Sequence, residues 1–221
     1  MTPSTDDTAS AASASVEAAD AAVPSDHSAL YLVRHGETEW SKSGQHTSRT
    51  DLPLTEVGEA AAVALRPLLV ELLGNRAPAL ALSSPMKRAK HTAELAGISV
   101  QIDDDLREVD YGRYEGITTP QIREQDPGWT VWTGAVPDGE TAEQAGHRVD
   151  RVLERVRSAL PDGHVVLFAH GHILRVLTAR WLGLPASEGR LFALSTATVS
   201  VLDTEHGRPV VRRWNLPASW S

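Results

Sequence analysis

The sequence predicts an α/β protein: a three-layer αβα sandwich whose helices cover both faces of a mostly parallel central sheet. Short apolar runs, typical of buried strands, alternate with longer segments that are apolar at helical spacing. Such alternation favours parallel strands joined by crossover helices, which pack on both faces of the sheet. The chain has 221 residues and shows no internal repeat, so we expect one folded domain over residues 29–221.

The first predicted strand, Ala29–Val33, ends in a charged, glycine-containing segment. Next comes a helix from Thr55 to Leu73, for which Thr55 is the N-cap. After a buried strand at Ala79–Leu82, we expect a second helix with a serine cap and Pro85 at its first position. The remaining predicted elements are a strand Ser99–Ile102, an irregular segment Asp103–Gly139 with a short helix Thr119–Gln125, a helix Glu140–Leu160, a strand Val165–Ala169, a helix Gly171–Leu182 and a hairpin of Thr198–Leu202 with Val210–Trp214.

The formal net charge of −8 is unevenly distributed along the chain. Residues 1–28 carry five acidic side chains and no Lys or Arg, which leaves −3 for residues 29–221. These first 28 residues are mostly Ala, Ser, Thr, Asp and Pro, a composition too poor in large apolar groups to offset the entropy of ordering. They predict a disordered acidic tail, with an interaction arm as the alternative.

The composition also excludes several classes of function. Because the chain has no cysteine, it has no disulfides, thiolate nucleophile or Cys-type zinc site. The surplus of acid disfavours nucleic acid and anionic membranes as partners. We find neither the basic n-region nor the Leu-rich segment of a secretory signal. The protein is therefore expected to be cytoplasmic.

Unusual residues follow three of the predicted strands. Arg34 and His35 follow the first strand, Arg88 lies in the first turn after the second, and His170-Gly171-His172 follows the strand Val165–Ala169. Ligands of open α/β sheets bind at the carboxyl ends of strands. If these strands are neighbours, two Arg, two His and two helix N-termini converge, an arrangement that suits a phosphate.

His35 is the candidate nucleophile at this site. The chain has no Gly-x-Ser-x-Gly elbow and no glycine-rich phosphate loop, whereas a histidine can attack phosphorus through a neutral ring nitrogen. For that, the other ring nitrogen must donate its proton to a neighbouring acceptor. We interpret Gly36 as allowing the backbone to approach the phosphate closely.

Four motifs stand in order along residues 29–183: Arg34-His35-Gly36-Glu37-Thr38 followed by Trp40, Leu54-Thr55 with Gly58, Ser84-Pro85 with Arg88-Ala89 and Thr92-Ala93, and Ala169-His170-Gly171. Together they resemble the histidine phosphatase superfamily, in its phosphoglycerate-mutase-like branch. The resemblance implies a phosphoglycerate-mutase-like fold and an enzyme that works through a phosphohistidine. Further segments are similar to a mycobacterial acid phosphatase and to fungal sedoheptulose-1,7-bisphosphatase.

The resemblance also implies roles for individual residues. His35 matches the phosphorylated nucleophile, and Glu108 matches the general acid, with Asp110 as a second candidate for that role. The phosphate pocket is matched by Arg34, Arg88 and His170. Substrate-binding positions are expected at Ser41, Thr47, Ser48, Tyr111, Gly171 and His172. Two tryptophans of the irregular segment, Trp129 and Trp132, are candidates for the pocket rim.

The superfamily contains mutases as well as phosphatases. Mutases of this branch have a Lys where this chain has Thr119 and an Asn where it has His172. A mutase must hold a second phosphate while its substrate reorients, so the missing cation favours hydrolysis of a small phosphorylated metabolite such as a sugar phosphate. A phosphoglycerate mutase, a non-catalytic module that binds phosphorylated ligands, and a protein phosphatase are the alternatives.

We expect no cofactor and no metal. A metal site built from His35, His170 and His172 is the alternative, but the nearby arginines would repel a cation. The expected partner is a small phosphorylated substrate, without nucleic acid or membrane, and a homodimer is possible.

Overall fold

The computed structural model describes residues 28–218, so the tail predicted for residues 1–28 lies outside the described residues except for Ser28. One six-stranded sheet forms the centre of the molecule. Its strands are β1 (Leu30–Arg34), β2 (Leu80–Ser83), β3 (Gln101–Ile102), β4 (Val165–Ala169), β5 (Thr198–Glu205) and β6 (Arg208–Pro217).

The strand order β3-β2-β4-β1-β5-β6 places the three strands that precede the predicted site side by side. β3, β2, β4 and β1 are parallel to one another, whereas β5 is antiparallel to β1 and β6 is antiparallel to β5. Arg34 pairs with Ala169 at the end of β1 and β4. Ser83 pairs with Phe168, so β2 ends at the same edge. The mostly parallel sheet is confirmed.

Residues 28–218 also form six α-helices: α1 (Glu39–Ser43), α2 (Glu56–Leu72), α3 (Lys87–Leu95), α4 (Thr119–Gln125), α5 (Ala142–Ala159) and α6 (Gly171–Trp181). α2 and α3 cover one face of the sheet, where Tyr31 and Val33 of β1 point into the core. α5 and α6 cover the other face, which receives Leu30 and Leu32. This alternation along β1 follows from the two-residue period of a strand. Every residue of β4 is buried, as expected for a parallel strand between two helical layers.

The start of α3 differs from the prediction. The helix begins at Lys87, and its N-cap is Met86, which makes no side-chain capping bond. The expected serine cap with Pro85 in the first turn is therefore wrong. The physical reason is that Ser84 belongs to the site: its hydroxyl lies 2.7 Å from Nε2 of His170, and its backbone N–H donates to the carbonyl of Phe168.

The closing hairpin is longer than predicted. β5 and β6 continue to Glu205 and Arg208, and only His206 and Gly207 form the turn. Both turn residues have positive φ, 49° and 75°, which is the requirement of a type I′ turn that continues the strand twist. Helix α1 was not predicted, because it is five residues long and depends on a local capping box between Thr38 and Ser41. β3 is shorter than expected.

Gly36 is required for a reason that the sequence did not reveal. A Cβ at this position would lie 2.4 Å from the carbonyl oxygen of Gly58, and a Cβ on Gly58 would lie 2.2 Å from the carbonyl oxygen of Glu37. The loop after β1 and the first turn of α2 thus meet backbone to backbone. This contact requires glycine at position 36 by itself, and the interpretation that Gly36 lets the backbone approach the phosphate stays a prediction.

None of the helices found between residues 28 and 218 has the length and apolar character needed to cross a membrane.

Candidate active site

A cavity of about 240 Å³ opens where β1 and β4 end. Eight of the predicted site residues line it: Arg34, His35, Ser41, Thr47, Glu108, Tyr111, Gly171 and His172. The other three predicted residues are not among its lining residues, and all three are buried: Ser48, Arg88 and His170. The ring of His170 packs against the ring of His35, and Arg88 donates a hydrogen bond to His170.

The ring of His35 is held in the tautomer that a nucleophile needs. Nδ1 lies 2.7 Å from the carbonyl oxygen of Gly36, to which it donates its proton. Nε2 therefore keeps a lone pair. The backbone N–H of His35 donates to the carbonyl of Ala169 at 3.1 Å, which ties the residue to the end of β4. Burial lowers the pKa of His35 well below its usual value, and the charges of Arg88 and Arg34 lower it further.

Arg88 and His170 form a buried unit behind the nucleophile, each about 1% exposed. Nε of Arg88 donates to Nδ1 of His170 at 3.1 Å, so His170 carries its proton on Nε2 and donates it to Ser84 Oγ at 2.7 Å. The other guanidinium nitrogens of Arg88 donate to the carbonyls of Thr50 and Thr47, at 3.1 and 3.3 Å. The rings of His35 and His170 are 5.1 Å apart.

Arg34 is the second guanidinium of the site. Its Nη1 donates to the carbonyl of Leu194, and its Nε is buried with no hydrogen-bond partner among residues 28–218. Gly171 makes room for this side chain, because a Cβ at Gly171 would lie 3.2 Å from Cζ of Arg34. Burying positive charge in this way is costly unless an anion arrives. The arrangement therefore suits a phosphate.

The charge of Glu108 acts on both arginines, whereas Glu37 and Asp51 are engaged elsewhere. Thr55 donates to Glu37 at 2.9 Å. Asp51 accepts the backbone N–H of Lys87 at 2.7 Å. In the described part of the chain, neither arginine makes an ion pair within 4.0 Å, so both retain their charge for a ligand.

Glu108 is the carboxylate that faces the cavity. Its Oε1 accepts the N–H groups of Val109 and Ile173, at 2.9 and 2.8 Å, and its Oε2 accepts the N–H of His172 at 3.0 Å. Two of these donors belong to the first turn of α6, so the helix start fixes the position of the carboxylate.

Asp110 is placed quite differently. Its carboxylate forms an ion pair with Arg49 at 2.5 Å and accepts the N–H of Gly112 at 2.9 Å. It does not line the cavity that holds His35. The geometry favours Glu108 over Asp110 as the acid.

Ser48 lies behind the cavity wall. Its hydroxyl donates to Glu115 at 2.6 Å and accepts the backbone N–H of Tyr111 at 3.3 Å. Glu115 also accepts the N–H groups of Ser48 and Thr50. These bonds hold the loop whose carbonyls orient Arg88, so Ser48 supports the site rather than lining the cavity.

Several cavity residues were not predicted as site residues: Thr38 and Trp40, which stood only in the first motif, and Gly44, Gln45, Arg175 and Leu194. Arg175 could have been found, since it lies three residues after His172 on the helix that starts at the site. Its guanidinium lies 4.5 Å above the ring of Trp132 and donates to the carbonyl of Gly189 at 3.1 Å.

The two tryptophans expected at the pocket rim lie in different environments. Trp132 packs against His172, with 5.1 Å between ring centres, and so supports the cavity wall. Trp129 is 1% exposed and donates its indole N–H to the carbonyl of Ala135 at 2.9 Å. Its expected place at the rim is therefore wrong. It anchors the irregular segment from inside.

His46 and Thr119 also line the cavity. Oγ1 of Thr119 lies 3.2 Å from Nε2 of His46. Burial lowers the pKa of His46 to about 4, so this ring is neutral at pH 7. Among the described residues, no three His, Asp or Glu side chains are arranged to hold a metal ion.

Comparison with known proteins matches residues 30–217 to the model of the histidine phosphatase superfamily, branch 1. The chain is 41% identical to an acid phosphatase of Mycobacterium tuberculosis over 179 residues, which cover 80% of this chain and 87% of that protein. It is 38% identical to sedoheptulose 1,7-bisphosphatase of Saccharomyces cerevisiae over 181 residues, 69% of this chain and 67% of the yeast protein.

A solved structure of the open reading frame Rv3214 from Mycobacterium tuberculosis has the same fold, with a TM-score of 0.83 and 39% identity. The match covers 86% of this chain and 98% of that one. The protein therefore belongs to the histidine phosphatase superfamily, as the motifs implied, and is a phosphatase of that superfamily.

Proposed function

We propose that this protein is a metal-independent phosphomonoester hydrolase that acts on small phosphorylated metabolites, sugar phosphates among them, through a phosphohistidine on His35. The observation that carries the proposal is the orientation of the His35 ring, whose Nδ1 lies 2.7 Å from the carbonyl oxygen of Gly36 and so leaves Nε2 free to attack. The ring lies beside the buried Arg88 and beside Arg34, whose Nε is buried, and neither arginine makes an ion pair within 4.0 Å among the described residues. The guanidinium groups provide the positive charge that the phosphoryl oxygens need in flight.

The proposed reaction has two steps. Nε2 of His35 attacks phosphorus in line while the ester P–O bond breaks, and Glu108 gives its proton to the departing alcohol oxygen. A water molecule then attacks the phosphohistidine, and Glu108 takes a proton from it. The P–N bond breaks, which releases inorganic phosphate and restores His35 and the protonated Glu108.

Two residues of the cavity lining favour hydrolysis over phosphoryl transfer between positions of one substrate. At the two positions where mutases carry Lys and Asn, this chain places Thr119 and His172, and both line the cavity. The hydroxyl of Thr119 lies against the neutral ring of His46. The described cavity lining thus offers no lysine to hold a second phosphate during reorientation, and its Arg175 is held against Trp132 and the carbonyl of Gly189.

The experiment that tests the proposal compares hydrolysis with isomerisation. The protein is incubated with 3-phosphoglycerate, with and without 2,3-bisphosphoglycerate, and separately with a panel of sugar phosphates and nucleotides. We expect inorganic phosphate in every productive reaction, no 2-phosphoglycerate, and no loss of activity in EDTA. Formation of 2-phosphoglycerate that depends on bisphosphoglycerate would instead identify a mutase.

The acid limb of the pH profile of kcat/KM should lie at low pH. Because burial, Arg88 and Arg34 lower the pKa of His35, the ring stays neutral and nucleophilic well below pH 6.5. We expect kcat/KM, corrected for the second ionisation of the substrate phosphate at about pH 6, to hold steady from pH 7 to pH 5.5. In Arg88→Gln the remaining activity should fall at a higher pH, since one of the charges that lowers the pKa is gone. A wild-type limb centred at pH 6.5 would contradict this assignment.

A further inference from the structure

Tyr111 and His172 form a hydrogen-bonded pair in the cavity wall. The phenolic oxygen of Tyr111 lies 2.6 Å from Nδ1 of His172. Tyr111 is only 2% exposed, and the His172 ring packs against Trp132 on one side and lies 6.1 Å from the ring of His46 on another. Both side chains are therefore held in one arrangement, and the ring of His172 is fixed relative to the cavity.

The direction of this hydrogen bond follows from what each atom needs. Among residues 28–218, the hydroxyl of Tyr111 has His172 Nδ1 as its one hydrogen-bond partner. If the ring donated, the phenolic proton would be buried without an acceptor, at a cost of about 1–3 kcal/mol. Tyr111 therefore donates to Nδ1, and the proton of the imidazole lies on Nε2.

Glu108 does not accept a hydrogen bond from Nδ1 of His172, which would favour the other tautomer. Its Oε2 already accepts the backbone N–H of His172 at 3.0 Å and is 4.0 Å from Nδ1. Burial lowers the pKa of His172 well below its usual value, and Arg175, His46 and Arg34 add to the effect. Burial likewise raises the pKa of Tyr111. Both groups are thus neutral over the working pH range, and the tautomer persists.

The Nε2–H of His172 is an unused donor of a residue that lines the cavity. His172 and Glu108 line the same cavity. In the described part of the chain, Nε2 has no hydrogen-bond partner. In the proposed reaction the alcohol that Glu108 protonates leaves within this cavity, which His172 also lines, so the atoms next to its ester carbon can meet the His172 ring.

We propose that His172, held in one tautomer by Tyr111, donates its Nε2–H to an oxygen on the carbon next to the phosphoester and so selects substrates with a vicinal hydroxyl. The inference rests on the proposed hydrolase function and specifies its substrate class: phosphate esters of polyols and sugars rather than of simple alcohols. His172 contacts substrate in this proposal, and Tyr111 is a positioning residue.

The test compares two esters that differ in the hydroxyls on the alcohol. kcat/KM is measured for sn-glycerol 3-phosphate and 1-propyl phosphate with the wild-type protein, H172Q, H172N and Y111F. A glutamine places an N–H near the former Nε2, whereas an asparagine reaches only the former Nδ1. We expect the wild-type protein to prefer the glycerol ester by about tenfold or more, the worth of one good hydrogen bond.

The variants should distinguish loss of the Nε2–H donor from a change in the size of the side chain. H172Q should keep the preference within about threefold, H172N should lose it, and Y111F should lose part of it because the ring is freed to change tautomer. Nitrogen-15 NMR of the His172 ring should show an Nε2–H tautomer in the wild-type protein and a mixture in Y111F. Since both esters are measured on one preparation, loss of folded protein cancels in the ratio.

Each result bears on the proposal. No preference in the wild-type protein, a preference that survives in H172N, or an Nδ1–H tautomer would overturn it, as would hydrolysis of p-nitrophenyl phosphate without hydrolysis of the glycerol ester. If no phosphate ester of any kind is hydrolysed, the proposed function fails as a whole. That outcome is distinct from hydrolysis without selection.

Discussion

Replacing His35 by alanine should lower kcat by about 10⁴-fold or more, because the atom that attacks phosphorus is removed. The same change should abolish a covalent phosphoenzyme. The wild-type protein, quenched during turnover of a ³²P-labelled substrate, should carry label that is stable in base and lost in acid, as a P–N bond requires. H35A should carry none.

The matched control is His147→Ala. The side chain of His147 is 72% exposed, lies 3.9 Å from Glu143 and is not part of the cavity lining. We expect wild-type kcat and labelling from this variant. Full activity of H35A would refute the proposed nucleophile. Label that persists in H35A would point to His170, although both nitrogens of that ring are engaged, with Arg88 and with Ser84.

Replacing Glu108 by glutamine should lower kcat by about 10²–10⁴-fold for alkyl phosphates, the usual contribution of a general acid. The amide oxygen of the new side chain can still accept hydrogen bonds from the start of α6, but the amide has no acidic proton to transfer to the leaving oxygen. The loss should be much smaller for p-nitrophenyl phosphate, because p-nitrophenolate leaves without protonation. The measurement is kcat for both esters with the wild-type protein and with the variant.

Asp110→Asn is the control for this prediction, since it removes a carboxylate two residues away that pairs with Arg49 outside the cavity. We expect it to keep kcat within about threefold for both esters, as is usual for a change away from the reacting atoms. Equal losses for the alkyl and the aryl ester in E108Q would argue against an acid role. A large loss confined to D110N would transfer that role to Asp110.

The sheet and the phosphate end of the site could be predicted from the sequence, because both depend on local patterns. An apolar run such as Val165–Ala169 is buried on both faces wherever it lies in a parallel sheet, and its carboxyl end carries His170. Once the strands were expected to be neighbours, the meeting of His35, Arg88 and His170 followed. Neither step needed knowledge of the irregular segment.

The far side of the cavity could not be predicted in the same way. Arg175 faces the cavity because Trp132 and the carbonyl of Gly189 hold it there. These partners come from segments whose sequence has neither helical nor strand periodicity. The buried position of Trp129 likewise depends on a distant loop. The misassigned cap of α3 has a similar cause, because the serine that would suit a helix start is bonded to a histidine 86 residues away.

The close backbone contact at Gly36 and Gly58 limits which residues the chain can carry at these two positions. The atoms that crowd each absent Cβ belong to backbone, so trimming a neighbouring side chain cannot make room for a larger residue at either position. The two positions therefore act as a single constraint on the chain. Efforts to change the range of substrates have more freedom in the wall formed by Trp132, His172 and Arg175, where side chains meet side chains and can be exchanged together.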